Sequence, residues 1–174
     1  MSKIKLKKIN DFDLCAYKHL YETSFPDSEK KPFDFMLEKV KQNTMDMLKI
    51  MMDDQMIGLM ITALSNPILL DYFAIDPKYQ SNGYGSLALQ ALKDYYQCDF
   101  FGEIESTFNN QDVLKHKRKQ FYIKNGMIAM PFTINLFSVD MEILTSGISI
   151  TYNQYVELLV NNFGEYCRSH IKLL

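Results

Sequence analysis

Cysteine is scarce in this chain of 174 residues: Cys15, Cys98 and Cys167 lie far apart, and no C-x-x-C pair occurs. That spacing excludes a disulfide framework and a thiolate metal site, and it suits a reduced, intracellular and cytoplasmic setting. Histidine is equally sparse. His19, His116 and His170 pair with no cysteine or carboxylate at metal-ligand spacing, so no metal is expected. Charge of one sign is lacking too: the formal net charge is −2, which removes the electrostatic case for nucleic acid or an anionic membrane. No apolar run reaches membrane-spanning length, the best being residues 56–64. The basic start, residues 1–9, is followed by no apolar stretch and does not read as a signal peptide. Repeats, linkers and low-complexity tracts are absent.

What is present is a large apolar inventory: 47% hydrophobic residues, with twelve Phe, eleven Tyr and eleven Met. This predicts one folded domain over 1–174 with a sizeable core, the methionines serving mainly as adaptable filler.

Ile4, Leu6 and Ile9 alternate with lysines, as in an edge strand. Asp11 is expected to cap a helix through Tyr21, with Phe12, Cys15 and Leu20 inward. A second helix is predicted from Pro32 to Gln42, burying Phe33, Met36 and Val40. Residues 47–52 and 55–64 read as a hairpin about Asp53 and Asp54, and Ile68–Ile75 as the next strand. The following helix should bury Leu87, Ala88, Ala91, Leu92 and Tyr95. A strand over 100–108, a helix over 112–124 stopped by Asn125-Gly126, and one long or two shorter strands over 127–140 complete this part. Thr151 and Gln154 form a capping box opening a helix with Tyr152, Tyr155, Val156, Leu159, Val160 and Phe163 as a stripe. Residues 149–174 are thus predicted as a C-terminal helical extension whose stripe serves core packing, a homodimer contact or a lid.

The segment with chemistry is the polar turn between Ile75 and the helix after it. Gln80-Ser81-Asn82-Gly83-Tyr84-Gly85-Ser86 joins a strand to a helix, an order that leaves backbone N–H groups unpaired at the positive end of a helix dipole. Such a turn binds phosphate or pyrophosphate. No Lys follows the glycines as a Walker loop requires. A dinucleotide fingerprint is matched only through Ala88 at its third glycine position, within a single strand–helix unit.

Gln80 to Gly85 reads as Q/R-x-x-G-x-G/A and resembles the acyl-CoA pyrophosphate loop of the GNAT superfamily of N-acetyltransferases. Leu70-Asp-Tyr-Phe-Ala-Ile-Asp-Pro77 is similar to that family's fourth strand. Arg118-Lys-Gln-Phe-Tyr-Ile-Lys-Asn-Gly-Met127 is similar to its helix ending in F-Y-x-x-x-G-F. The resemblance covers residues 68 to 127. It departs from the pattern at Met127, where Phe is usual, and at Lys115, where many members carry an Asn that contacts the cofactor. It implies an α/β fold with a mixed, twisted sheet flanked by helices. It also implies acetyl-CoA as co-substrate, bound through Gln80–Ser86, with the backbone of Phe73, Ala74 and Ile75 pairing with the pantetheine arm. Tyr122 matches the family's general acid, which returns a proton to the leaving thiolate; a phenol of reference pKa roughly 10 stays protonated at neutral pH.

For the base, Glu103 and Glu105 sit at i, i+2 on the predicted strand and share a face. Glu105 lines up with an acidic residue of several relatives; a carboxylate there accepts the ammonium proton or attracts a cationic substrate. The run Lys115-His-Lys-Arg-Lys119 is read as a solvated helix face, with contact to an outlying cofactor phosphate as the alternative. Cys98 has nothing nearby to lower its thiol pKa, which favours direct attack by the amine over an acyl-enzyme. The expected function is acetyl transfer to a primary amine of a small molecule or peptide. The alternatives are an acyl-CoA sensor or scaffold without turnover and a Rossmann-like nucleotide binder.

Overall fold

The computed structural model describes residues 4–174, so the first three residues of the basic start lie outside the described residues. These residues group into two compact units, one running to Leu64 and resuming at Leu70–Cys98, the other holding Ser65–Leu69 and Asp99–Leu174. Eight strands build a mixed sheet flanked by helices, the expected fold class.

The first unit contains strand β1 (Ile4–Lys8), helices α1 (Leu14–Ser24) and α2 (Phe33–Lys41), strands β2 (Met45–Met52) and β3 (Gln55–Ala63), most of strand β4 (Ile68–Ile75), and helix α3 (Tyr84–Tyr96). Its strands run in the order β1-β2-β3-β4. The β2–β3 hairpin turns through Asp53, held at a φ of 53°, and both strands are buried along almost their whole length. Methionine does much of the filling: Met36, Met45, Met47, Met51 and Met60 are all buried. β1 lies at the sheet edge with Ile4 and Leu6 buried and its lysines outward, as the alternation predicts.

Two helices differ from expectation. Helix α1 begins at Leu14 rather than at an Asp11 cap. The Asn10 side chain accepts the N–H groups of Phe12 (2.9 Å) and Asp13 (3.2 Å), while Asp13 accepts that of Asn10 (2.9 Å). This local turn competes with helix formation and shifts the register. Tyr17, Leu20 and Tyr21 therefore point inward, while Phe12 is 97% exposed and Cys15 is exposed. In α3 the inner face is Ala88, Leu89 and Leu92, and Leu87 and Tyr95 face outward. Tyr96 decides that register. Its hydroxyl donates to buried Asp46 (2.8 Å) and lies 2.6 Å from the hydroxyl of Thr62.

The second unit contains β5 (Phe100–Glu105), α4 (Val113–Lys124), β6 (Ile128–Leu136), β7 (Val139–Thr145), α5 (Tyr152–Phe163) and β8 (Ile171–Leu173). Its strands run in the order β5-β7-β6-β8, with antiparallel neighbours. The 127–140 stretch resolves into β6 and the start of β7. They are joined by Phe137-Ser138, both at positive φ (46° and 71°), a hairpin geometry usually given to Asn-Gly and hence invisible in the sequence. β5 stops at Glu105, short of the predicted Phe108: Ser106 still donates its N–H to the carbonyl of Asp140 on β7, but the N–H of Thr107 goes to the Glu142 side chain instead of to the strand. Both halves of the Thr151–Gln154 capping box form. Beyond α5 the chain adds β8, which pairs with β6, to the helix predicted for 149–174.

Glu142 on β7 collects three donors: the N–H and hydroxyl of Thr107, each at 2.7 Å, and Lys119 Nζ at 2.5 Å. Burial alone would raise its pKa, but Lys119 and the two Thr107 hydrogen bonds outweigh it and hold the carboxyl below its ordinary value. A depressed folded-state value means stabilisation that is present above the ordinary carboxyl range and is lost as pH falls through the lower one. Replacing Glu142→Gln is expected to cost about 1–3 kcal/mol at pH 7. It should also flatten the acid-side decline of stability, as read by urea denaturation between neutral and acid pH.

Candidate active site

In the first unit, the strand–turn–helix segment is shaped by its own polar side chains. Asp76 accepts the N–H of Lys78 (2.9 Å) and starts a short 3-10 turn over Pro77–Tyr79. Gln80 Nε2 donates to the carbonyl of Ile75 (2.8 Å), tying the turn back to the end of β4. Asn82 Nδ2 donates to the carbonyls of Tyr79 (3.2 Å) and Gln80 (2.9 Å). The motif residues Gln80 and Asn82 thus brace the turn. Ser81 (φ 64°) and Gly83 (φ 78°) are both left-handed, and Gly83 is the residue from which α3 starts.

The consequence is electrostatic. Among the described residues, no backbone N–H from Ser81 through Ser86 has a hydrogen-bond partner; the first amide of α3 to be satisfied is that of Leu87, by Gly83 at 3.3 Å. Ser81, Asn82, Gly83 and Ser86 are exposed, and Tyr84 and Gly85 half-buried. A run of unpaired donors at the positive end of a 13-residue helix fits a pyrophosphate.

β4 changes character as it approaches this turn: Ile68, Leu69, Leu70 and Tyr72 are buried, whereas Phe73, Ala74 and Ile75 are only partly covered. Gly58 on β3 is a feature that the motif search missed. A Cβ there would lie 2.5 Å from the carbonyl oxygen of Ala74, so only glycine permits this approach. The signal available in the sequence was an isolated Gly inside an apolar strand. Beside it the β2–β3 register slips, and the carbonyl of Ile57 accepts the N–H of Asp76 (2.9 Å) directly after β4.

In the second unit, α4 presents Tyr122. Its hydroxyl makes no hydrogen bond among the described residues. Desolvation pushes its pKa up to about 12, against a smaller downward pull from Arg118. The phenol therefore keeps its proton across the physiological range. β5 places Glu103 and Glu105, both half-buried, on the face opposite buried Ile104. The two carboxylates have different company. Glu105 pairs with Lys115 (3.1 Å) and Arg118 (4.0 Å) of α4. Glu103 accepts a hydrogen bond from Tyr155 Oη of α5 (2.5 Å). The basic run of α4 is accordingly mostly engaged: Lys115 and Arg118 on Glu105, Lys119 on Glu142, and His116 Nε2 at 2.6 Å from the carbonyl of Asn110. Among the described residues, no group of His, Cys, Asp and Glu is arranged to hold a metal ion, and no helix is long and apolar enough to cross a membrane.

The family model described as the acetyltransferase (GNAT) family matches residues 12–122. The chain belongs to that family. Solved structures agree on the fold. A GNAT-family protein from Bacteroides thetaiotaomicron superposes with a TM-score of 0.77 at 18% identity, covering 94% of this chain and 98% of that one. The ribosomal-protein-S18-alanine N-acetyltransferase of Escherichia coli gives 0.62 at 18% identity, covering 85% and 96%. A Bacillus subtilis acetyltransferase in complex with CoA gives 0.58 at 15% identity, covering 85% and 99%. No curated protein matches the chain.

Two glycine substitutions separate space from conformation. Gly83→Ala meets no atom within 4 Å but forces a side chain into a left-handed φ, at an expected cost of about 1–2 kcal/mol. Gly58→Ala meets the backbone of Ala74 and is expected to cost about 1–3 kcal/mol while displacing that strand. Amide chemical shifts at Phe73–Ile75 should move in the Gly58 variant and stay in place in the Gly83 variant.

Proposed function

We propose that this chain moves an acetyl group from acetyl-CoA to a primary amine of a small molecule or a peptide, by direct attack of the amine on the thioester. The observation that carries this reading is the unbroken run of unpaired N–H groups from Ser81 to Ser86 at the start of α3, in a chain of the GNAT family. Acetyl-CoA supplies an activated acyl carbon on a thiolate leaving group.

The chain's residues then have separate tasks. The Gln80–Ser86 turn holds the pyrophosphate through its amides, and the backbone of Phe73, Ala74 and Ile75 holds the pantetheine arm as an added strand. A carboxylate of β5 takes the proton that the ammonium must lose before its lone pair can attack. As the new N–C bond forms and the C–S bond breaks, Tyr122 gives its proton to the sulfur, and the second proton that the nitrogen must shed to become an amide returns to the phenolate. Desolvation keeps the phenol protonated at pH 7, so the proton is in place when the thiolate forms. Neither Cys98 nor a metal takes part. The peptide option draws support from the Escherichia coli neighbour, a ribosomal-protein-S18-alanine N-acetyltransferase.

Thermal melting with saturating acetyl-CoA, CoA or NAD is the direct check on the donor. Both CoA species are expected to raise Tm and NAD to leave it unchanged, because a ligand that binds only the native state must stabilise it. No shift with either CoA species would overturn the donor assignment. Transfer to a panel of amines then distinguishes an enzyme from a sensor. The pairing of Glu105 with two α4 cations favours the sensor if transfer is absent for every amine. Tyr122→Phe is expected to lower kcat by about 10²-fold or more while leaving the Tm shift with CoA intact. An unchanged kcat would remove Tyr122 from the chemistry.

A further inference from the structure

The Ser81–Ser86 turn fixes the direction in which a CoA arm must run. The turn follows β4, so a pyrophosphate held there lies beyond the C-terminal end of that strand. An arm paired with Ile75, Ala74 and Phe73 runs back along the strand, and its sulfur end points past Phe73 toward Tyr72 and Asp71. Asp71 stands two residues before Phe73, about 7 Å along the strand.

A primary amine already occupies that place. Lys31, in the connection between α1 and α2, brings its Nζ to 2.7 Å from Asp71 Oδ1 and 2.9 Å from Oδ2, and to 5.2 Å from the centre of the Tyr72 ring. The Asp71 side chain is 4% exposed and that of Lys31 30%, so the carboxylate is shut off from water while the ammonium on it stays reachable. The backbone of Lys31 is held separately from its side chain. Its N–H donates to Tyr72 Oη (2.8 Å), and its carbonyl accepts from Tyr21 Oη (2.9 Å). Tyr72 Oη also donates to the carbonyl of Glu29 (2.8 Å), and its ring meets those of Tyr21 and Phe25 edge-on, each at 5.0 Å. Delivery of this amine to β4 is therefore built into the core of the first unit. Lys30 beside it goes elsewhere, to Glu22 (2.7 Å) and Asp27 (2.8 Å).

We propose that Lys31 is a self-acetylation site, at which the chain accepts the acetyl group of acetyl-CoA on its own Nζ. The proposal rests on the acetyl-CoA reading above and names the amine that the fold itself supplies. One N–H bond of the ammonium breaks and its electron pair stays on nitrogen. That proton passes to an Asp71 oxygen, already at hydrogen-bond distance, and on to water. The lone pair attacks the thioester carbon, the N–C bond forms and the C–S bond breaks. The nitrogen sheds a second proton as it becomes an amide. In balance, one proton ends on the CoA thiol and one in water. The product has a neutral amide with one N–H in place of an ammonium with three, so Lys31 no longer answers the charge of Asp71.

The test uses the full chain with acetyl-CoA carrying a 13C-labelled acetyl group and no added amine. Mass spectrometry reads the label at each lysine, and fragment ions of the Glu-C peptide 30–38 separate Lys31 from Lys30. Uncatalysed acetylation favours the most exposed amines, so Lys41, with its side chain 75% exposed, is the internal reference. Lys31 is expected to take label faster than Lys41 by about tenfold or more, at a rate per molecule that does not change on dilution of the protein. Chain unfolded in urea is expected to lose this preference. Asp71→Asn is expected to slow labelling of Lys31 by about tenfold while keeping the Tm shift with CoA, and Lys31→Arg to pass no label to Lys30. Labelling of Lys31 no faster than of Lys41, a preference that survives in urea, a rate that rises with protein concentration, or an undiminished rate in Asp71→Asn would each overturn the inference. The first three readings use wild-type protein and stand even if the Asp71 variant does not fold. A missing Tm shift with both CoA species removes the donor reading and this inference with it; a Tm shift with Lys31 unlabelled removes the inference alone.

Discussion

A carboxylate on a mostly buried strand must find a donor, and that requirement organises both units of this protein. Asp46, Asp71 and Glu142 all carry side chains almost shut off from water, and each has recruited partners from another element. Asp46 on β2 takes the Tyr96 hydroxyl of α3 and Lys8 beside it on β1. Asp71 on β4 takes two hydrogen bonds from the Nζ of Lys31, in the connection between α1 and α2. Glu142 on β7 takes Lys119 of α4. An unpaired charge in any of these places would cost several kcal/mol, so the pairings set helix register and loop path as much as apolar packing does.

The same requirement sorts the chemistry. On β5 it divides two carboxylates that share a face into one held by cations and one held by a phenol. On α4 it absorbs most of a basic run that resembles an anion-binding patch when read alone. At the start of α3 it is suspended. The amides of Ser81–Ser86 remain unpaired in an exposed turn, an arrangement that water tolerates and that a polyanionic ligand exploits. Tyr122 is the complementary case: a phenol with no hydrogen-bond partner among the described residues, which desolvation keeps protonated.

The likeness to solved GNAT structures extends over nearly the whole of the Bacteroides protein at only 18% identity. At that distance the shared property is the fold, and the chemistry of each chain rests on its own side chains. Residues past 122 illustrate this. They carry α5, β8 and the Tyr155 contact to Glu103, where the family pattern offers no guide.

Local signals were enough to reveal the β2–β3 hairpin, the extent of β4, the stop at Asn125-Gly126, the Thr151–Gln154 box and the glycine turn. Each of these depends on periodicity or backbone preference within a few residues. The inward faces of α1 and α3 did not follow from local pattern. The first was shifted by a side-chain turn at Asn10, and the second was chosen by Tyr96 reaching a carboxylate 50 residues away in the chain. The positive-φ turn at Phe137-Ser138 and the strand β8 had no residue signature at all. The site divides in the same way. The residue types that bind phosphate and hold a proton were legible as a motif. Which glutamate faces cations and which faces Tyr155 was decided only when α4 and α5 came to rest beside β5, because an ion pair or a hydrogen bond depends on distances between segments that sequence spacing does not contain.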